Sequence, residues 1–515
     1  MKARTHNGAV YDFPLLREDP GRRGPKTMLF WDFWKLHHAD NVELVPGRPQ
    51  WVPEGTYVDP TTGSGGAGRV YFDRVAGVWR RISAYGDFFI YESDDGIRWR
   101  PSRFPRAKPA GRKRGPHHVF TLPHQGKAIG WLYLDPIAAD GFPFKIPVIL
   151  SGASVFARAQ ADAAHHWHDA AQRVGHARPY HLEHLMLVSR DGLSWETRHD
   201  YDWGRGRINP EEPHFMFYNH LTGEHTLTCR PGLGDRRVCV TTTRNFRAWS
   251  EPRLVLQPDL LDGGIVEFYA MPVFPYGTQF IGLVWASHFA TAHAIDFMVL
   301  HKGPQAPHLV VSPDGQHFAR PLRTPFIELN EPGAPGCHTI CPEGMAVLDD
   351  EIRIYSTGST SAHGTPVPRS LKAPRTALLL HRLRRDGFMY FRSKGYWAEF
   401  TTRPFALFDG RFTMNAAAPT GEVRYELRDD RNRPIERYTF DACVPLRFGD
   451  ALRFPLRWKE RRNLSELTGR VIRLSVRFYN ARIYSFRGDY HITDATDAWQ
   501  LQDGLMPADM SRFGA

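Results

Sequence analysis

Six carboxylic acids share a recurring setting, beside a β-prone run and close to proline or glycine. They are Asp59 in residues 55–60 (Gly-Thr-Tyr-Val-Asp-Pro), Asp135 in 130–136 (Gly-Trp-Leu-Tyr-Leu-Asp-Pro), Glu211 and Glu212 between Pro210 and Pro213, Glu267 in 266–272, and Glu343 after Pro342. Acids gathered in one place can divide their roles: a protonated carboxyl donates to a leaving oxygen while an ionised carboxylate attacks or activates water. A glycosidic oxygen is a poor leaving group at neutral pH, so cleaving that bond calls for such a set. Like charges converging without metal or substrate repel, so their convergence would itself mark a site.

The elements that would bring these acids together are repeated. Residues 93–99 (Ser-Asp-Asp-Gly-Ile-Arg-Trp) recur almost unchanged at 189–195, and more loosely at 243–249, 312–318 and 384–390. An Asp-Gly pair tolerates the left-handed backbone of a tight turn, and the aromatic that follows packs back on a sheet. Between these closings lie short runs rich in aromatic and β-branched residues, such as 69–73 and 78–85, which read as strands. Counting 55–60 as an opening strand gives four strands to the first unit, and five units in all. Four-stranded sheets repeated radially make a β-propeller, in which the first strand of each blade lines the axis. In that phase Asp59, Asp135, Glu211 or Glu212, Glu267 and Glu343 converge on one funnel.

The expected fold class is therefore all-β, a five-bladed β-propeller followed by a jelly-roll-like β-sandwich. A lead-in over residues 1–50 wraps the propeller, and its aromatic cluster Phe30, Trp31, Phe33 and Trp34 packs on the first or last blade. The propeller spans 51–393, with an alanine-rich helical insertion at about 153–174. The sandwich takes 394–490, where strand-like runs alternate with turns, and 491–515 is a tail.

Composition narrows the functions. With 515 residues and 45 glycines, 40 prolines and 13% aromatics, the chain is folded, turn-rich and too long for one core. No apolar run approaches the roughly 20 residues that span a bilayer. The first residues lack the apolar core of a signal peptide, so the chain is expected to stay in the cytoplasm. Five cysteines do not form a disulfide framework. Cys337 and Cys341 are half of a metal site without a second half, and His165, His166 and His168 lack a clear partner, so neither metal nor cofactor is expected. The net charge of +11 comes from arginines dispersed among acids, apart from the loop 103–114, and nucleic acid is not the expected partner.

Beside the acids stand candidates for binding. Arg230, Arg236 and Arg237 surround a glycine-rich turn, and arginine forks suit carboxylate, phosphate or sugar hydroxyls. Arg230 or Arg237 either holds substrate, fixes a catalytic acid, or pairs structurally with Asp235 or a neighbouring strand. Tyr269, Tyr276 and Trp285 offer surfaces that stack on sugar rings or fill a core, and His288 and His338 could face the funnel.

Residues 55–60 with 93–99, the segment 268–282 and the sandwich entry 395–405 resemble glycoside hydrolase families 32, 43, 62 and 68, by architecture over about residues 28–490. The resemblance implies hydrolysis of a furanoside or pyranoside in an oligo- or polysaccharide. It implies that Asp59 is the base or nucleophile, that Asp135 stabilises the transition state, and that Glu212 or Glu211 is the proton donor. Family 32 has asparagine before the first acid, arginine before the second and a Glu-Cys pair at the third, where this chain has Val58, Leu134 and Glu211-Glu212. Arg230, Arg237, Glu267, Tyr269, His338 and Glu343 are then the substrate-binding set. A glycoside phosphorylase on the same fold, or a non-catalytic carbohydrate-binding propeller, are the alternatives. The oligomeric state is open.

Overall fold

The computed structural model describes residues 25–61, 63, 65–85, 87–102, 118–121, 127–151, 183–201, 203, 211–230, 236–263, 265–289, 303–362 and 376–493. Among them the chain is all-β, with short 3-10 turns and no α-helix. The insertion at 153–174, with its histidines, and the tail beyond 493 lie outside the described residues. Two compact units divide the chain, one built on Pro49–Val347 with Arg353–Arg382, the other on Arg17–Arg48, Leu348–Ile352 and Leu383–Ala515.

The first unit is the five-bladed propeller. Blade one consists of Arg69–Asp73, Val78–Tyr85, Asp87–Ser93 and Arg100–Pro101, each antiparallel to the last. Blade two pairs an inner strand broken into Lys127–Gly130 and Tyr133–Leu134 with Phe144–Ser151, then Glu183–Ser189 and Trp195–Arg198. Blade three is Glu211–Asn219, Glu224–Arg230, Val238–Thr243 and Arg253–Leu256. In blade four Ile265–Phe268 and Val273–Tyr276 share the partner Gln279–Phe289, followed by Gln305–Ser312 and a one-residue bridge to Ala319. Blade five runs Thr339–Val347, Glu351–Ser359, Thr376–Arg384.

Its fourth strand comes from the other end of the chain. Gln50–Trp51 pairs with Thr376–Arg384, and Tyr57 bridges to Leu378. Residues 55–60, expected to open blade one, therefore close blade five, and blade one opens with Arg69–Asp73. The sequence phase was one strand out because the partner of Tyr57 lies at the far end of the propeller sequence. The Val52, Tyr57 and Gly65 amides donate to Leu380, Leu378 and Thr376 carbonyls, so the seam is a hydrogen-bonded edge interrupted by two excursions.

Four closing motifs share one hydrogen-bond pattern, which explains their sequence. In the first, Ser93 Oγ accepts from the Gly96 amide and Asp95 Oδ1 accepts from the Ile97 and Arg98 amides. Ser189 with Asp191, Thr243 with Asn245 and Ser312 with Asp314 repeat it. The residue between takes positive φ: Gly96, Gly192 and Gly315 near +70°, and Phe246 at 63° in blade three. Each motif joins the third strand of a blade to the fourth. The fifth expected closing, 384–390, lies in the second unit, where Ser485 donates to Asp386.

The second unit is the sandwich. Thr413–Asp429 is its spine: register shifts after Asn415 and Ala418 bend it, so it pairs with Arg482–Gly488 along its first half and Val471–Tyr479 along its second. Phe391, Phe400, Met414, Trp458, Phe478 and Phe486 fill the core. Residues 25–48 of the lead-in belong here and not on a blade. Lys26–Leu29 pairs with Arg482–Gly488, Leu36–Asp40 with Ala398–Thr402, and Val42–Pro46 with Met389–Ser393. Phe30 packs on Phe391, Phe400 and Phe486. Its apolar side chains follow the strand pairing into this core, which local composition could not reveal.

Candidate active site

The seam carries Asp59 into the first unit's interior. After bridging to Leu378 the chain turns at Asp59, whose carbonyl accepts from the Gly63 amide. The Asp59 side chain is fully buried. Its Oδ1 accepts from the Thr61 amide at 2.7 Å and its Oδ2 from the Tyr91 hydroxyl at 2.7 Å. The turn residues after the acid thus hold one oxygen, and a tyrosine of blade one's third strand holds the other.

Beneath the same stretch lies Arg81 on Val78–Tyr85, also fully buried. Its guanidinium carbon stands 3.9 Å from the centroid of Tyr91, 5.3 Å from Tyr57 and 5.4 Å from Trp99, an aromatic enclosure for a cation. Arg81 Nη1 donates to the Gly66 and Ala67 carbonyls. Burial pulls the Arg81 pKa below the ordinary guanidinium value, opposed by Tyr91, Tyr57, Glu343 and Asp59 in that order.

Glu343 sits within Thr339–Val347, the inner strand of blade five beside that of blade one. Oε1 accepts from the Thr357 hydroxyl at 2.6 Å and Oε2 from the Gly68 amide at 2.6 Å. The Trp131 side chain is a further donor. Gly68 has φ +64°, and a Cβ there would stand 2.0 Å from the Ile82 carbonyl oxygen, so this approach of backbone to carboxylate requires glycine.

Burial raises the Glu343 pKa despite these donors and Arg81. The folded protein therefore holds this proton more tightly than the unfolded chain. The corresponding stability is present below the ordinary value of 4.5 and is lost as pH rises through the raised folded value. Glu343→Gln removes the titration. Urea midpoints measured between about pH 4 and about pH 7 are expected to improve, variant over wild type, as pH increases.

From Trp131 an aromatic wall continues round the funnel. Trp131 lies 4.8 Å from Phe215 and 6.3 Å from Trp285, and Trp285 stacks on Tyr269 at 6.4 Å with planes 9° apart. The Trp285 indole donates to the carbonyl of Pro342, next to Glu343. Arg230 and Arg236 stand over Tyr269 at 4.6 and 5.3 Å, and Arg236 pairs with Glu267 at 2.8 Å. His214, edge-on to Trp131 and tilted against Trp203, has its pKa pushed down to about 3, chiefly by burial, and its Nε2 meets the Pro147 carbonyl. Aromatic faces with hydrogen-bonding edges suit the alternating apolar and hydroxyl faces of a sugar ring.

Asp135 belongs elsewhere. It follows the inner strand of blade two, where Oδ1 caps the Ile137 and Ala138 amides and Oδ2 pairs with the buried Lys145 Nζ at 2.8 Å. Asp73 of blade one caps Val75 and Ala76 in the same way, and Asn219 of blade three caps Leu221 and Thr222. Asp135 is thus the counterpart of Asp73 and Asn219, a turn residue between the first and second strands. It shares no hydrogen-bond partner with Asp59 or Glu343 among the described residues. The segment 130–136 does open blade two as expected, but Asp135 stands past the end of that inner strand, in the turn, and not at its leading end.

For Glu211 and Glu212 the backbone is described, at the start of blade three's inner strand with Glu211 opposite Arg230, while their side chains lie outside the described residues. Arg237 is half-buried beside Arg236, and His338 is exposed, its carbonyl accepting from the Gln305 amide. Sequence reasoning missed Arg81, Tyr91, Trp131 and Thr357. The available signal for Arg81 was a charge flanked by Trp79 and Ile82 on a strand otherwise reading as core. Among the described residues no three histidine, cysteine or acidic side chains group as metal ligands, and no helix is long and apolar enough to cross a membrane.

No family model and no curated protein matches the chain. Solved structures similar to it include an N-acetylgalactosamine deacetylase from F. plautii, at 13% identity and TM-score 0.35, over 73% of this chain and 96% of that one. A glycosyl hydrolase from Bacteroides ovatus matches at 10% identity and TM-score 0.38, over 66% and 94%. An alpha-L-arabinofuranosidase from Lactobacillus brevis matches at 11% identity and TM-score 0.39, over 63% and 92%.

Proposed function

We propose that the chain is a glycoside hydrolase that opens a glycosidic bond of an oligo- or polysaccharide in the propeller funnel. The observation that supports this reading is the setting of Asp59 and Glu343. Two buried carboxylates lie about one guanidinium, and Glu343 adjoins the wall of Trp131, Phe215, Trp285 and Tyr269 through Trp131. Asp59 acts as base or nucleophile. Glu211 or Glu212 delivers a proton to the glycosidic oxygen as its bond to the anomeric carbon breaks. Water adds to that carbon, its proton passing to a carboxylate, so that one water is consumed and two hydroxyl ends are made. Glu343, in place of Asp135, is the third acid that tunes the pair.

The test is a panel of aryl glycosides with good and poor leaving groups, assayed on Glu211→Gln and Glu212→Gln. The donor's variant is expected to lose about 10²-fold on poor leaving groups and little on phenols acidic enough to depart unprotonated. Equal losses on both, or none in either variant, would remove the assignment. Arg230 and Arg236 above Tyr269 favour a second reading, phosphorolysis, in which they bind phosphate. Turnover that requires added phosphate would select it. Sugar binding without turnover under either condition would leave a binding propeller.

A further inference from the structure

We infer that the outer face of the sandwich carries a binding site of its own, at which Arg403, Arg473 and Trp34 hold a carboxylate-bearing sugar chain. The arginine row and its need for an anion stand apart from the funnel, while the choice of a sugar chain as the anion's carrier rests on the hydrolase reading.

The strands Leu36–Asp40, Ala398–Thr402, Val471–Tyr479 and Thr413–Asp429 lie side by side. On the third of them Ile472, Leu474, Val476 and Phe478 enter the core, so Arg473, Ser475 and Arg477 point the other way. Register carries this alternation across the sheet in rows. One row joins Asp40, Glu399, Arg477 and Arg424, and its charges are balanced, with Arg477 paired to Glu399 at 2.9 Å. The next joins His38, Thr401, Ser475 and Glu426. Thr401 and Ser475 are buried and bond each other at 2.7 Å, which leaves the longer side chains around them as the outer layer. Glu426 is taken by the Phe440 amide and by Arg428 at 2.6 Å.

The third row is different. Arg428 stands directly opposite Arg473, and on the strand beyond, two residues past Thr401, Arg403 lies over the ring of Trp34 at 4.6 Å. Like charges placed opposite one another are destabilising. Arg428 has Glu426, but among the described residues neither Arg403 nor Arg473 has an acid in ion-pair contact. Arg473 gives Nη2 to the Asp430 carbonyl at 3.3 Å, and its Nε and Nη1 are buried without a hydrogen-bond partner among the described residues. Burial lowers the Arg473 pKa, and Asp430 and Asp429 offset this only in part, Asp429 being held by Arg433 at 2.8 Å. The exposed His37 next to this row also has its pKa lowered, first by desolvation and then by Arg473, His38 and Arg403. A planar carboxylate supplies what the row lacks, since its two oxygens match a guanidinium fork and its charge relieves the repulsion. Neighbouring strands stand about 4.8 Å apart, a spacing comparable with the length of one sugar residue, so a chain with one carboxylate per residue runs along the row. At its open end Trp34, 54% exposed, offers an indole face to a ring. A nucleic acid would call for rings under successive bases.

The test is binding of the full chain to immobilised polygalacturonate at about 0.15 M salt, where bare surface charge is well screened. Soluble polygalacturonate is expected to displace the protein, dextran is not, and a single-stranded oligonucleotide of equal total charge should need at least ten times the concentration. The double variant Arg403→Met with Arg473→Met should raise Kd by roughly tenfold or more, and Trp34→Ala should raise it several-fold. Arg98→Met, which removes an exposed charge from the other unit, should leave it unchanged. An unchanged Kd in the double variant, an equal loss in Arg98→Met, or dextran displacing as well as polygalacturonate overturns the inference. An oligonucleotide that displaces better, and loses that advantage in the double variant, overturns it in favour of a nucleic-acid surface. Asp59→Asn should bind as wild type does. Binding by a wild type that turns over no glycoside would sink the hydrolase reading alone, and turnover without polygalacturonate binding would sink this inference alone. Should the double methionine variant not fold, glutamine at both positions removes the charges, keeps hydrogen-bonding groups and decides the same question.

Discussion

Asp59→Asn is expected to lower kcat by about 10³- to 10⁴-fold on every glycoside the wild type cleaves, the upper range for a positioned acid–base group. The substitution preserves shape. The carboxamide oxygen can still accept from the Thr61 amide, and the Tyr91 hydroxyl can reverse its role and accept from the amide nitrogen. Thermal midpoints should therefore change little, which separates lost chemistry from lost fold. The loss should not depend on leaving-group acidity in the way the Glu211 or Glu212 loss does, because base or nucleophile and proton donor act on different atoms. Activity of the purified, folded variant within tenfold of wild type would refute the role given to Asp59.

The largest effect on stability is expected at Lys145. Its ammonium is fully buried and pairs with Asp135 at 2.8 Å and Asp140 at 3.0 Å, near the ring of Phe246. Lys145→Met keeps much of the aliphatic packing but strands two acids, one of them buried, without a cation, and breaking such a set costs about 3–5 kcal/mol. Urea unfolding of the two proteins at neutral pH measures it. Specific activity per folded molecule should stay near wild type, since Asp135 is assigned to the turn and not to the reaction. A drop in that activity as large as the one at Asp59 would restore Asp135 to the funnel set.

What could be read from the sequence follows the range of the interactions behind it. The Ser-x-Asp-Gly closings were legible because every hydrogen bond in them spans a few residues, and Gly96, Gly192 and Gly315 announce the positive φ they adopt. The strands between them show in their aromatic and β-branched runs. The phase of the first blade was not legible, although the openings expected for blades two to five fall on inner strands. An acid followed by proline looks alike at Asp59 and Asp135, yet one rides a seam paired with blade five and the other caps a turn as Asp73 does. Only the strand pairing separates them. Glu343 was singled out by its position in a repeat, whereas Arg81 owes its buried setting to Gly66, Ala67 and Tyr91 gathering round it, which no local pattern encodes.

The seam also sets an order of events. Gly65 and the residue its amide meets, Thr376, stand 311 positions apart in the chain. During synthesis the segment bearing Asp59 must wait unpaired while four blades form, and it docks only when the last arrives. Closing so long a loop costs little more entropy than closing a moderate one, but contacts this remote in sequence slow assembly. A nascent or truncated ring consequently leaves Asp59 undocked, and the proposed site would come into being only together with topological closure.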